Sequence, residues 1–390
     1  MSTIGKLVIG LIIAGVVVLI LTALPAKSPG IPEADTSSIK LGFIGPLTGD
    51  VANVGQNAKA AVEIAVEEVN AQGGVNGRVL EMVYEDSQCD GATASNAVNK
   101  LINIDKVVMI LGGACSGETL AFTGLAEQTQ TPVLSYCSSA PAISQAGDFI
   151  FRNYPSDTFQ GSFVADYVFN TLSKKNVAVL YVKSDWGNGI KDVFVNKFKE
   201  LGGTIAVEEG YEQTARDLRT NLTKIKSAKP DLLYFLGYTE ASIPGLKQVA
   251  ELKLGLPILG GDTWDDSKIW TDVGVAGNGV MYTVASTKGG DEFKAKMQAK
   301  VGTNEIAVCS PTAYDGLKIM AQVLGQTGTA DRVAIKDALY QASYAGGVSF
   351  DNIRFDSNGD LVSANYIVKE VKDGVATPVV PTEPEPVTEE

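Results

Sequence analysis

Residues 107–117 read VVMILGGACSG and residues 132–141 read PVLSYCSSAP. Each is a short apolar run that breaks into small residues and then opens a segment of helical character. A strand that ends in such a turn and feeds a helix is the repeating unit of a parallel α/β sheet. The turn exposes backbone N–H groups and serine hydroxyls at a helix N-terminus, where an anion such as a carboxylate is favoured. Neither turn holds a base. The pattern points to holding a molecule rather than reacting with it.

The same alternation extends in both directions. KLGFIG at 40–45 leads into a helix from Val54 to Ala71, whose apolar positions Val54, Ala58, Ala61, Val62, Ala65, Val66 and Val69 follow three-four spacing. VLEMVYED, a helix around Ala97–Ile102, VVMIL, a helix over 116–128, PVL and FIFRNY complete a first α/β unit. The pattern restarts with a helix over 158–173 and runs through NVAVLYV, TIAVEEGY, DLLYFLG and PILGG, with helices between them, to VMYTVA at 280–285. Helical segments near 291–301, 312–324 and 331–342 follow, and VSFDNIRFD and ANYIVKEV close the chain. These later elements belong to neither unit alone, so the chain is expected to cross back. The expected fold is α/β, two Rossmann-like lobes with parallel-type sheets joined by a multi-strand hinge around a cleft. Residues 39–156 with 286–346 form the first lobe and 157–285 with 347–374 the second, with bending near Ser156, Ser286 and Gly347.

Composition narrows the chemistry. A hydrophobic content of 45% supports two full cores. The chain has no histidine, which removes the Ser-His-Asp and Cys-His arrangements and most zinc sites, so no catalysis, metal or cofactor is expected. A net charge of −13 argues against nucleic acid, whose binding relies on clustered lysine and arginine.

Residues 1–24 contain LVIGLIIAGVVVLILTAL after Lys6, long enough to span a bilayer and poorly matched to a cleavage site, so a transmembrane anchor is preferred to a cleaved signal. Either way the body is exported. A spacer over 25–38 and an acidic, Pro-rich disordered tail over 375–390 are expected to flank it. In an oxidising compartment the four cysteines suggest disulfides; none forms a CxxC pair.

The chain resembles the branched-chain amino-acid (Leu/Ile/Val) binding proteins of ABC importers, which have the type I periplasmic-binding-protein fold. The resemblance runs from about Ile39 to Val371, on IKLGFIGPLTGDVANVG, AAVEIAVEEVNAQGGVNGR, YEDSQCD, GGACSGET, PVLSYCSSAP, SDWGNG, FLGYTE, GGDTW and AYDGL. It implies that Ser116 binds a ligand carboxylate, and that Cys137, Ser138 and Ser139 bind carboxylate and ammonium. It further implies that Asp262 holds the ammonium from the opposite lobe and that Trp186 and Tyr238 cover the ligand. Cys89 and Cys115 match a family disulfide; Cys137 and Cys309 are either a second bridge or two buried thiols.

Three positions depart from the family pattern: Val54 where an aromatic residue is common, Asp262 in place of a longer glutamate, and Cys137 itself. They leave open an amino acid other than leucine, isoleucine or valine, or an amide or small carboxylate. The implied protein is a monomeric, extracytoplasmic receptor that delivers an amino acid to an ABC permease with its ATPase. A sensory ectodomain on the same fold is the alternative.

Overall fold

The computed structural model describes residues 37–302 and 306–379. The expected anchor and most of its spacer lie outside the described residues, as does the tail from residue 380. Among the described residues no helix is long and apolar enough to cross a membrane.

The first lobe is built from β1 (Ile39–Gly45), α1 (Ala52–Ala71), β2 (Leu80–Asp86), α2 (Gly91–Asn103), β3 (Ile110–Leu111), α3 (Ser116–Gln128), β4 (Val133–Ser135) and β5 (Ile150–Arg152). Its sheet runs β2-β1-β3-β4-β5, and every pair is parallel. Successive strand residues point to opposite faces. Phe43, Leu111, Leu134 and Phe151 therefore pack with Ala58, Val62 and Ala65 of α1, while Ile44, Ile110, Val133 and Ile150 pack with Val98 of α2 and Phe122 of α3. A sheet covered on both faces needs uninterrupted apolar strands, which is why these runs are legible in the sequence.

The second lobe comprises α4 (Asp157–Asp166), β6 (Asn176–Val182), α5 (Asp185–Glu200), β7 (Thr204–Tyr211), α6 (Arg219–Ala228), β8 (Leu232–Leu236), α7 (Thr239–Glu251), β9 (Ile258–Gly260), α8 (Ser267–Val273) and β10 (Met281–Ala285). The chain then returns to the first lobe with α9 (Asp291–Val301), α10 (Ser310–Thr327), α11 (Arg332–Tyr340) and the short pair β11 (Ser343–Ala345) and β12 (Asn352–Arg354). It finishes on the second sheet with β13 (Tyr366–Lys372) and β14 (Val375–Pro378). That sheet runs β14-β13-β10-β9-β8-β6-β7, parallel except for the antiparallel β10–β13 and β13–β14 pairs.

Four expectations are corrected. Residues 347–361 sit with the first lobe, because Ile353, Phe355 and Leu361 are buried in the same cluster as Leu41 and Phe43. Gly347 is no hinge: Asp315 on α10 accepts from the Val348 and Ser349 N–H groups at 3.0 and 2.7 Å and pins the segment. The last crossing instead falls between Leu361 and Tyr366, after the crossings between β5 and α4 and between β10 and α9. Finally, Val375–Pro378 is ordered strand, because the edge of β13 offers it backbone partners from Lys369 to Lys372. The spacer also ends early, since Arg78 Nε donates to the Ser37 carbonyl at 2.7 Å and Ser38 Oγ to Glu81 at 2.8 Å.

Candidate functional site

Both sheets aim the C-terminal ends of their parallel strands at the cleft, the usual ligand edge of an open α/β sheet. From the first lobe come the turns after β3 and β4. Gly112 has φ +148°, and a side chain there would meet the Ile44 carbonyl. The two turns are stitched together. Ser135 Oγ donates to the Gly113 carbonyl at 2.9 Å, and Ser138 Oγ bonds Thr119 Oγ1 at 2.7 Å and Gly113 O at 3.2 Å. Ser116 Oγ accepts the Ser139 and Ala140 N–H groups at 3.2 and 3.1 Å. Its lone pairs are thus engaged, and its own proton is left for the cleft.

Two disulfides fix this wall. Cys89–Cys115 and Cys137–Cys309 have Cα separations of 5.5 and 5.4 Å, within the usual span. The second ties the β4 turn to the residue that opens α10, which settles the question left open at Cys137. Beneath them Glu118 accepts from the Ala114 and Cys115 N–H groups at 2.5 and 3.1 Å. Burial pushes its carboxyl up to about 7 against those hydrogen bonds.

From the second lobe come Trp186 in the first turn of α5, Tyr238 just before α7, and Asp262 in the turn after β9. The two rings stack at 5.1 Å between centroids, tilted by 29°. Asp262 is buried; its Oδ2 accepts the Tyr154 hydroxyl at 2.7 Å, while Oδ1 has no well-formed hydrogen bond. Burial raises its carboxyl to about 6, although the Tyr154 bond and the Thr263 and Asp262 N–H groups favour the charged form.

Ser116, Cys137, Ser139, Trp186, Tyr238 and Asp262 line one cavity of ≈ 40 Å³, together with Ala114, Cys115, Thr263, Val308 and Cys309. No lysine or arginine is among them. An adjoining cavity, also ≈ 40 Å³, shares Ala114, Cys115, Cys137, Tyr238, Thr263 and Val308 and adds Val51, Val54 and Thr239. One chamber is therefore polar at both ends, and its neighbour is mostly apolar. Ser138 stands apart: its hydroxyl goes to Gly113 and Thr119, its N–H goes to Ser135 Oγ at 3.0 Å, and it lines neither chamber. Sequence reasoning missed Thr263, Val308 and Tyr154. A larger hollow of ≈ 270 Å³ behind the Cys137–Cys309 bond touches none of Ser116, Trp186, Tyr238 or Asp262.

The lobes are closed on each other. Asn53 Nδ2 donates to Asp266 Oδ1 at 2.9 Å, Arg216 pairs with Asp50 at 2.7 Å, and Val51 and Val54 are buried among second-lobe side chains. Each chamber has room for a few waters, so anything larger enters as the lobes part.

A two-lobed α/β fold with hydroxyl donors on one wall and a carboxylate with aromatic rings on the other defines a small-molecule binding protein of the cleft-closing kind. A profile of the periplasmic binding protein family matches residues 38–375, and the chain belongs to that family, among its branched-chain amino-acid-binding members. It is 30% identical over 356 residues to a leucine-, isoleucine-, valine-, threonine- and alanine-binding protein of Pseudomonas aeruginosa, covering 89% of this chain and 93% of that one. A leucine binding protein from Thermotoga maritima superposes with a TM-score of 0.82 at 28% identity, covering 88% of this chain and 98% of that one. A branched-chain amino acid transporter substrate binding protein from Streptococcus pneumoniae, in complex with isoleucine, gives 0.79 at 25% identity, covering 88% and 99%.

Proposed function

We propose that this protein captures an α-amino acid with a small aliphatic side chain, leucine, isoleucine or valine foremost, outside the cytoplasm and delivers it to an ABC permease and its ATPase. In this reading it works as a monomer held at the membrane by residues 1–24. The observation that carries the ligand class is the buried, unpaired Oδ1 of Asp262 in the same cavity as the Ser116 hydroxyl. A zwitterion meets both needs at once: its ammonium pairs with Asp262, and its carboxylate takes the hydroxyls at the N-terminus of α3. A buried charge left unpaired costs several kcal/mol, so the Asp262 end favours a cationic group over a neutral sugar. The Val51–Val54–Val308 chamber receives the aliphatic side chain. A simple carboxylate would leave Asp262 facing no cation, which disfavours it.

Ligand bridging the lobes favours the closed form, because its full contacts exist only there. The test is a thermal-shift panel of amino acids, amides, small carboxylates and sugars on residues 31–390. Aliphatic amino acids should stabilise the protein, with affinity on the order of micromolar, about −8 kcal/mol. Stabilisation by sugars alone would overturn the ligand class.

A further inference from the structure

Asp157, at the start of α4, is completely buried yet absent from the walls of the two chambers. Its Oδ2 lies 3.0 Å from Ser139 Oγ, and Ser139 does line the ligand chamber. That hydroxyl has one proton to give. Given to an ionised Asp157, it leaves Ser139 showing a lone pair to the ligand's carboxylate, which repels it.

We propose that Asp157 carries a proton at neutral pH and donates it to Ser139 Oγ, turning the Ser139 hydroxyl proton onto the ligand's carboxylate. Asp157 is then a positioning residue that acts through Ser139. The proposal rests on the reading of the cleft as an amino-acid site.

The groups that face Asp157 pull in opposite directions: the Gln160 amide, the Ser139 hydroxyl and Arg152 favour the charged form, and burial with Asp262 favours the neutral one. On its own helix, the Gln160 amide donates to Oδ1 at 3.3 Å when oriented so that its oxygen accepts from Thr283 Oγ1 and the Asp262 N–H. From β5, the nearby Arg152 guanidinium is already engaged by both oxygens of Asp360, the Ser144 hydroxyl and the Ala140 carbonyl. The turn after β9 contributes Asp262, a second acid. Tyr154, Tyr234 of β8 and Tyr366 of β13 contribute phenols, and the chain has no histidine. Burial, then the Asp262 charge, raise the Asp157 carboxyl well above the usual range. The N-terminus of α4 also favours an ionised group, but that effect is smaller than the cost of burying a carboxylate with no cation of its own. With Asp157 neutral, Ser116 and Ser139 both donate to the carboxylate, and Asp262 is the single anion left for the ammonium.

The test compares the wild type with Asp157→Asn, Ser139→Ala and the double variant, by calorimetric titration of the best-bound amino acid of the panel from neutral pH to about pH 9. The asparagine amide keeps a donor on Ser139. Asp157→Asn should therefore bind within about threefold of wild type at neutral pH and lose less affinity on the alkaline side. Ser139→Ala should weaken binding about tenfold, and adding Asp157→Asn to it should change little further. A loss of about tenfold or more in Asp157→Asn at neutral pH, or an alkaline limb identical to wild type, overturns the proposal.

A second measurement needs no variant to fold. Infrared spectra of aspartate-labelled wild type at neutral pH should show the carbonyl stretch of a protonated carboxyl, and its absence overturns the proposal. If no amino acid binds the wild type, the receptor reading falls and the role toward ligand falls with it. Binding without these signatures sinks only the role of Asp157.

Discussion

The two walls of the cleft are built on opposite plans. The first-lobe wall is main chain and serine, with Ser116 Oγ, Ser135 Oγ and Ser138 Oγ all engaged by neighbouring groups and two disulfides closing the turns. Its donors are held in place whether or not a ligand is there. The second-lobe wall is a stacked Trp186–Tyr238 pair and a carboxylate that is only half satisfied. The first wall stores geometry. The second stores an unmet electrostatic need, so affinity should respond most sharply to changes there.

The largest effect expected from that contrast is at Asp262. Asp262→Asn should weaken amino-acid binding by about 2–4 kcal/mol while leaving the des-amino acid analogue far less affected. Calorimetry with both ligands decides it, and equal losses would show that Asp262 does not read the amine. Ser116→Ala comes next, at about 1.5–3 kcal/mol in binding for a hydrogen bond to a charged carboxylate. Because it also strands the Ser139 and Ala140 N–H groups, it should lower the melting temperature of the ligand-free protein, whereas Asp262→Asn should not. If Ser116→Ala costs affinity but no stability, the first wall is not prebuilt.

The smallest effect is on pH dependence. Asp262, raised to about 6, and Glu118, raised to about 7, each hold a proton in the folded state over a range where the unfolded chain has released it. Their contribution to stability is therefore greatest in mild acid and is lost as pH rises through these values. Thermal melts of the ligand-free protein should show that decline between about pH 4 and 7, and Asp262→Asn should flatten its lower part.

The sheets were legible because a strand buried on both faces has no polar alternation to obscure it: Phe43 and Ile44, or Leu134 and Val133, serve opposite cores from adjacent positions. Ser116 and Ser139 were legible as turn residues at helix starts. Asp262 was reachable only through family resemblance, since an acid after Gly-Gly caps a turn equally well. Ser138 lines neither chamber, and adjacency in a turn does not say which hydroxyl faces the cleft. Tyr154 and Asp157 were missed because PSD before a helix reads as an N-cap, which Ser156 indeed provides to Thr158 at 3.3 Å. The Gly347 hinge failed for a tertiary reason: Asp315, distant in sequence, fastens the neighbouring N–H groups. The Cys137–Cys309 bond was undecidable for the same reason, because 172 residues separate its ends.

The closed cleft carries two clasps of unlike physics. Arg216–Asp50 sits at the rim, with side chains 40% and 30% exposed, where mobile ions screen it. Asn53–Asp266 lies deeper, on a buried carboxylate that also accepts the Thr239 hydroxyl at 2.7 Å. Parting the lobes breaks both contacts, and added salt weakens only the outer one, so ionic strength should loosen the closed form no further than Arg216–Asp50 holds it.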